Sequence, residues 1–191
     1  MIAAVITSVL ENFTVTLFVV GLVAAGISIA VHRRERTAAT VTGALLDWFL
    51  FFSVGVSFAY NAVLHSFFGD FTASVIGWPQ SPFQLEVAFA SLGFALVGFL
   101  AFPRRAHIGV KLAAVLGVTP FLWGAAGGHI YQLVVFGNHA PGNSGAILWS
   151  DLLLPAFGLI AVWAHHYTTT RVDPVGRHVR TPADPRESAV N

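Results

Sequence analysis

Five long apolar stretches divide the chain, and they constrain its fold more than any other feature. A helix that crosses a bilayer needs about 20 consecutive, mostly apolar residues. The chain meets that length in five stretches, at residues 13–31, 41–66, 83–102, 107–136 and 146–167. Hydrophobic residues make up 55% of its 191 residues and charged residues only 10%, which is unusual for a soluble domain. The sequence therefore predicts an all-α fold, a polytopic membrane helix bundle with five transmembrane helices.

The positive charges lie in alternate connections between these spans. Arg and Lys cluster at residues 33–36 and 104–111 and again after residue 170, whereas the connections 67–82 and 137–145 contain neither. Cytoplasmic loops are enriched in Lys and Arg. We therefore expect the N-terminus outside and the C-terminus inside. The strong preference for Arg over Lys is typical of a high-GC bacterial gene, so we expect a multi-pass protein of the bacterial plasma (inner) membrane, surrounded by lipids.

The domain organisation is expected to be simple. Residues 1–167 form one transmembrane helical domain, and residues 168–191 are rich in Pro, Arg, Asp and Thr without apolar periodicity. Such composition is typical of chain that cannot bury a core. We predict that 168–191 is a disordered cytoplasmic tail.

Composition also excludes several functions. The chain has no cysteine, so it forms no disulfide, thiolate metal site or cysteine-ligated iron–sulfur cluster. No basic stripe interleaved with aromatic residues is present, so nucleic-acid binding is not expected. Redox chemistry would require a bound cofactor or metal ion.

Four ionisable side chains fall near the same end of four different spans. They are His65, Glu86, His129 and Asp151. Such groups are costly in hydrocarbon unless they have partners, so their common depth predicts a ligand or proton site. Two imidazoles and two carboxylates suit iron, zinc or manganese, and His65 with His129 would also suit a haem. A purely structural hydrogen-bonded cluster is the alternative.

Other polar residues lie close to these four in the sequence. We expect them to orient the ligands or to contact a bound molecule. They are Tyr60, Asn61, Gln84, Gln132 and Asn143.

The connection 67–82 is expected to form turns rather than continued helix. Gly69, Gly77, Pro79 and Pro82 interrupt it, and Gly and Pro are the strongest signals for turns. Because irregular backbone is tolerated at membrane depth only where protein or a water-filled cavity satisfies it, we expect this segment to roof a site between the helices.

Two further expectations concern packing. Gly124 and Gly128 form a GxxxG pair, which predicts close helix packing within the bundle or, alternatively, self-association into a homo-oligomer. Asp47, near the opposite end of the second span, is expected to form an interfacial ion pair with the Arg clusters at residues 33–36 or 104–105.

Two motifs carry a resemblance to a known family. They are SPFQxE at residues 81–86 and GHIYQ at residues 128–132. On these motifs the chain resembles an uncharacterised family of small prokaryotic integral membrane proteins, distantly similar to the DoxX-like four-helix proteins. The resemblance covers roughly residues 41–160 and implies a helical membrane fold without supplying an activity. DoxX-like proteins are associated with quinone-linked and redox-defence roles, which is an analogy of fold alone.

Three functional hypotheses follow. The first is a membrane oxidoreductase, or a subunit that serves a redox partner, with a metal ion or haem held by the four ionisable residues. The second is a proton-coupled small-molecule transporter or ligand binder that uses the same side chains. The third is an accessory subunit of a membrane complex, in which the polar set fixes helix packing.

Overall fold

The computed structural model describes residues 12–33 and 36–170, and all regular secondary structure in this part of the chain is helical. Five helical segments are long and apolar enough to cross a membrane. The prediction of a multi-pass, all-α membrane protein is therefore confirmed. The orientation of the bundle in the membrane stays a prediction.

The elements are named here in chain order. They are α1 (Phe13–Val31), α2 (Ala38–Phe49), the π-helical segment π1 (Leu50–Val56), α3 (Ser57–Phe67), α4 (Gly69–Ile76), α5 (Phe83–Ala101), α6 (Ile108–Phe136), α7 (Pro141–Ser144) and α8 (Ala146–Thr170). Elements α2, π1 and α3 join end to end into a single span.

The helix boundaries agree closely with the sequence. The predicted span 41–66 becomes 38–67, and the predicted span 146–167 becomes 141–170, of which α8 forms residues 146–170. Residues 168–170, assigned by sequence to the tail, continue α8 as helix. The predicted tail from residue 171 onward lies outside the described residues, and so do Arg34 and Glu35.

The second span is the central helix of the bundle. It is the most buried of the five spans and packs against α1, α5, α6 and α8. Leu46, Leu50 and Val54 from this helix meet Val115 and Val118 from α6 in the hydrophobic core. The other spans expose large apolar side chains on their outer faces, as lipid-facing helices do.

Helix α5 approaches the central helix through two glycines. A Cβ atom on Gly98 would lie 2.7 Å from the backbone nitrogen of Gly55 in π1, so the two backbones touch as small residues allow. The sequence predicted such packing for Gly124 and Gly128 instead. Packing within the bundle is not found at Gly124, whose added Cβ would meet no atom within 4 Å, while Gly128 faces the ring of Trp78. Self-association through this pair stays a prediction.

The connection 67–82 contains a helix, so the prediction of turns alone is wrong. Helix α4 forms over Gly69–Ile76 because no Gly or Pro interrupts the residues between Gly69 and Gly77. Gly77 ends the helix with φ of +73°, a left-handed conformation that favours glycine. The two prolines at positions 79 and 82 then separate α4 from α5.

A buried ion pair lies at the end of the bundle where α5 ends and α6 begins, which we call the Lys111 end. The Lys111 ammonium donates to Asp47 Oδ1 at 2.5 Å and to the carbonyl oxygens of Ala101 and Pro103 at 3.0 and 3.2 Å. Only 1% of Lys111 and 5% of Asp47 is exposed. Asp47 therefore pairs with Lys111 rather than with the predicted Arg clusters, because the first turn of α6 places this lysine directly against the central helix.

The Lys111–Asp47 pair should be essential to stability. We expect Lys111→Met to lower the free energy of unfolding by about 3–5 kcal/mol, since it leaves Asp47 buried without a counter-charge. Adding Asp47→Leu should recover most of that loss, because apolar residues often replace a buried ion pair at little cost. Unfolding titrations in mixed micelles measure both changes.

Arg105→Met is the matched control for this prediction. It removes an exposed cation from the same connection and should change the free energy of unfolding by less than about 1 kcal/mol. A loss in Lys111→Met as small as that in Arg105→Met would contradict a structural role for the ion pair.

Candidate functional site

A cavity of about 740 Å³ lies between the helices. Helices α1, α3, α4, α5, α6 and α8 and the π1 segment all contribute to its wall, which is mostly apolar. We call the end of the bundle that holds α4 the α4 end. Six aromatic residues line the cavity: Phe13, Phe58, Tyr60, Phe71, Trp78 and Phe121.

Asn143 organises the polar side of this cavity. It is fully buried in the short helix α7, which the preceding loop places against α6. Its amide nitrogen donates to the carbonyl oxygens of His129 and Asn138 at 3.1 and 2.9 Å. Its amide oxygen accepts from the Trp78 indole at 3.0 Å and lies 2.9 Å from His129 Nδ1. One side chain thus joins the segment after α4 to α6 and α7.

These contacts decide which nitrogen of His129 carries a proton. The two carbonyl acceptors and the Trp78 donor fix the orientation of the Asn143 amide, so its oxygen faces His129 Nδ1. An oxygen acceptor requires that Nδ1 donate. In the neutral imidazole, His129 Nε2 is then a hydrogen-bond acceptor with a free lone pair.

Asp151 faces this lone pair. Its Oδ2 atom lies 3.7 Å from His129 Nε2, and both side chains are about 5% exposed and line the cavity. No described residue donates a hydrogen bond to the Asp151 carboxylate. With His129 neutral and Asp151 ionised, the two facing groups are both acceptors, and no described donor lies between them.

The backbone around Asp151 is also short of donors. Pro155 follows four residues later inside α8, and proline has no N–H to donate to the carbonyl oxygen one turn before it. The carbonyl oxygen of Asp151 therefore lacks its usual helical hydrogen-bond donor.

Two hydroxyl groups in the cavity wall lack partners as well. Within the described residues, Ser53 Oγ and Thr14 Oγ1 are buried and form no hydrogen bond. Three other buried helical hydroxyls, those of Thr72, Thr119 and Ser150, each bond to a carbonyl in the preceding turn, as Thr119 does with Val115 at 2.7 Å. Ser53 belongs to π1, and π-helical turns occur often at functional sites.

His65 lines the same cavity from α3 but has a different partner. Its Nδ1 atom bonds to Gln84 Oε1, and Gln84 in turn donates to the carbonyl oxygen of Gly69 at 3.4 Å. Within the described residues, the other ring nitrogen of His65, Nε2, has no hydrogen-bond partner. His65 is therefore a cavity residue whose imidazole is fixed by the start of α5.

Glu86 stands apart from the other three predicted ligands. It is exposed on α5 and does not line the cavity. Among the described residues, no three His, Asp or Glu side chains lie close enough together to hold one metal ion. The four-residue ligand set expected from the sequence is thus not assembled, because the face of α5 that bears Glu86 points away from the cavity.

The predicted supporting residues divide in the same way. Tyr60 and Asn61 line the cavity, and the Asn61 amide donates to the Ser91 hydroxyl at 2.9 Å. Gln84 forms a hydrogen bond with His65, and Asn143 forms one with His129. Gln132 does not line the cavity.

Sequence reasoning did not assign Trp78, Ser53 or Thr14 to the site. The sequence contained a signal for two of these residues, Ser53 and Trp78. Ser53 interrupts an otherwise apolar run, and Trp78 sits between a glycine and a proline, in the second polar connection.

Comparison with known proteins identifies a family but no activity. A family model described as a family of unknown function, DUF6790, matches residues 11–171. No curated protein and no solved structure matches the chain. The match agrees with the resemblance to an uncharacterised family, whereas the distant similarity to DoxX-like proteins stays a prediction.

The Asn143 network should be the main source of order at the α4 end. We expect Asn143→Ala to lower the free energy of unfolding by about 3 kcal/mol, because it leaves several buried partners unsatisfied at about 1–3 kcal/mol each. Unfolding titrations in mixed micelles measure the change. Ser144→Ala is the control, since the Ser144 hydroxyl has only a 3.5 Å contact with a backbone carbonyl. Equal effects of the two changes would contradict this role.

Proposed function

The chain belongs to the DUF6790 family of unknown function, and we propose from its cavity that it binds a small amphipathic molecule within the membrane. The observation that carries the proposal is an apolar, aromatic-lined cavity of about 740 Å³ with a few polar groups directed into it. Small-molecule sites in proteins have this composition and volumes of roughly 300–1,000 Å³.

The unpartnered polar groups favour a ligand over a structural role. A polar cluster that only fixes helix packing is expected to satisfy its members internally. The Asn143 network does so, but the Ser53 and Thr14 hydroxyls have no partner, and the only contact of the Asp151 carboxyl group with a described ionisable group is the 3.7 Å approach to His129. An amphipathic ligand would supply these groups with partners and fill the apolar volume beside them.

Gly124 supports the same conclusion from the apolar side. It lines the cavity, and a side chain there would meet no neighbouring atom within 4 Å. Gly124 is itself exposed, so the cavity opens to the surface of the bundle there, which is the access that a ligand from the surrounding membrane requires.

The membrane itself is the natural source of the ligand. If the α4 end faces outward, as the distribution of Lys and Arg predicts, the ligand enters from the outer leaflet or the outer aqueous phase. Binding is the activity proposed; transport would be a further step that uses the same site.

A panel of three naphthalene probes tests the proposal. The probes are 2-(2-naphthyl)ethanol, 2-(2-naphthyl)ethylamine and 2-naphthylacetate, which share one aromatic body and differ in the polar group. We expect saturable binding of at least one probe to the protein in lipid nanodiscs, measured by naphthalene fluorescence after subtraction of empty nanodiscs. Gly124→Phe should abolish this binding because the new ring occupies the cavity.

Gly93→Phe is the matched control. It places the same ring on an exposed glycine of α5 that has no neighbour within 4 Å and does not line the cavity. Binding should survive this change. Absence of saturable binding for all three probes, or equal binding to both variants, would overturn the proposal.

Measurements on one preparation of purified protein distinguish the metal or haem hypothesis from the proposed binding of an amphipathic molecule. Elemental analysis and an absorption spectrum of the purified protein would be compared with those of His129→Ala. Stoichiometric metal or a haem band that disappears in the variant would support the redox hypothesis and count against an organic occupant.

A further inference from the structure

We infer that the occupant of the cavity is an organic amine in its protonated form, whose N–H group donates to Asp151 and His129 and whose apolar body lies against the aromatic wall. This inference rests on the proposed binding function and specifies its ligand. It follows from the geometry of the acceptor pair, from the charges that line the cavity and from the rings around it.

The acceptor pair requires a donor. His129 Nε2 has a free lone pair because its other nitrogen donates to Asn143, and the Asp151 carboxylate oxygen lies 3.7 Å away. One donor nitrogen can sit about 2.9 Å from each of two acceptors at this separation. An ammonium group carries enough N–H bonds to serve both at once.

The charge of the cavity favours a cation. An ionised carboxylate in an apolar site is costly unless a cation accompanies it. Of the described residues that line the cavity, none is Lys or Arg. Lys111, the lysine of this chain, is paired with Asp47 at the other end of the bundle. Among the described residues, the titratable groups that line the cavity are Tyr60 and His65 from α3, His129 from α6 and Asp151 itself.

The aromatic wall suits the same ligand. Aromatic rings attract cations through their negative faces, and this attraction grows where water is excluded. The side chains of Trp78 and His129 pack with ring centroids 5.3 Å apart, so an aromatic face borders the acceptor pair. Phe13 and Tyr60, 4.8 Å apart between centroids, and Phe121 provide further apolar contact for the body of the amine.

Other ligand classes meet only part of these requirements. An alcohol donates a hydrogen bond but brings no charge. A quaternary ammonium brings charge but has no N–H for the acceptor pair. A carboxylate would place a second negative charge beside Asp151. We therefore expect the amine to bind most tightly and the carboxylate least.

The naphthalene probes test this order directly. In nanodiscs, 2-(2-naphthyl)ethylamine should bind the unmodified protein about tenfold or more tightly than 2-(2-naphthyl)ethanol and than its own N,N,N-trimethyl derivative, as expected for a charge-assisted hydrogen bond. Asp151→Asn should weaken amine binding by a similar factor while leaving the binding of the alcohol within about twofold.

Binding of the alcohol also reports whether the Asp151→Asn variant is folded, because the alcohol needs the cavity for binding but does not need the carboxylate. Asp70→Asn is the matched control: Asp70 is an exposed carboxylate on α4 that accepts from Gln80 at 2.7 Å and does not line the cavity. It should leave both affinities unchanged.

Three outcomes separate the two proposals. Preference for the amine, lost in Asp151→Asn and kept in Asp70→Asn, supports the inference. If the alcohol, the trimethyl derivative or 2-naphthylacetate binds as tightly as the amine, the inference is overturned while the binding function stands. If no probe binds, the cavity is not a ligand site and both proposals fail.

Discussion

The cost of an unpartnered polar group in apolar surroundings governs this structure. At the Lys111 end the cost is avoided completely, since the ammonium group has three acceptors and Asp47 has its cation. At the α4 end Asn143 uses both its amide nitrogen and its oxygen. Against these two satisfied networks, the free acceptors of Asp151 and His129 stand out. The same physical rule that stabilises the bundle therefore identifies its site.

The chemistry of the site depends on the connections as much as on the spans. Trp78 follows α4 and Asn143 lies in α7, and together they set the orientation of one amide. That amide fixes the proton on His129 Nδ1, and the lone pair on Nε2 follows from it. The segment after α4 and the short helix α7 thus determine which nitrogen of His129, in α6, can accept a hydrogen bond.

Position along a helix could be predicted from sequence, whereas direction around a helix could not. The five spans follow from the length and composition of the apolar stretches, so their boundaries agreed with the helices within a few residues. His65, His129 and Asp151 were placed at the correct end and do line one cavity. Glu86 shares their depth, but the helix order decides where it points, and α5 turns it outward.

The remaining differences have similar causes. Gly77 was recognised as a turn residue, but α4 before it was missed because eight residues are too few to show a clear periodicity. The partner of Asp47 was predicted wrongly because the packing of the helices decides which basic side chain lies close enough to pair with it. Ser53 stood out only as a polar residue in an apolar run, and its importance depends on π1, whose widened turns a hydrophobic pattern does not reveal.

The position of the cavity also bears on whether binding leads to transport. Phe58 and Leu154 line the cavity and also belong to the hydrophobic core, so the core forms the cavity floor. Beyond it, Leu50 and Val115 are fully buried, and they separate Asp151 from the Lys111–Asp47 pair. A bound amine reaches the far side only if this packed layer opens, and opening would expose closely packed apolar groups to a charge. The arrangement therefore favours a molecule that is bound and released at the α4 end over one that crosses the bundle.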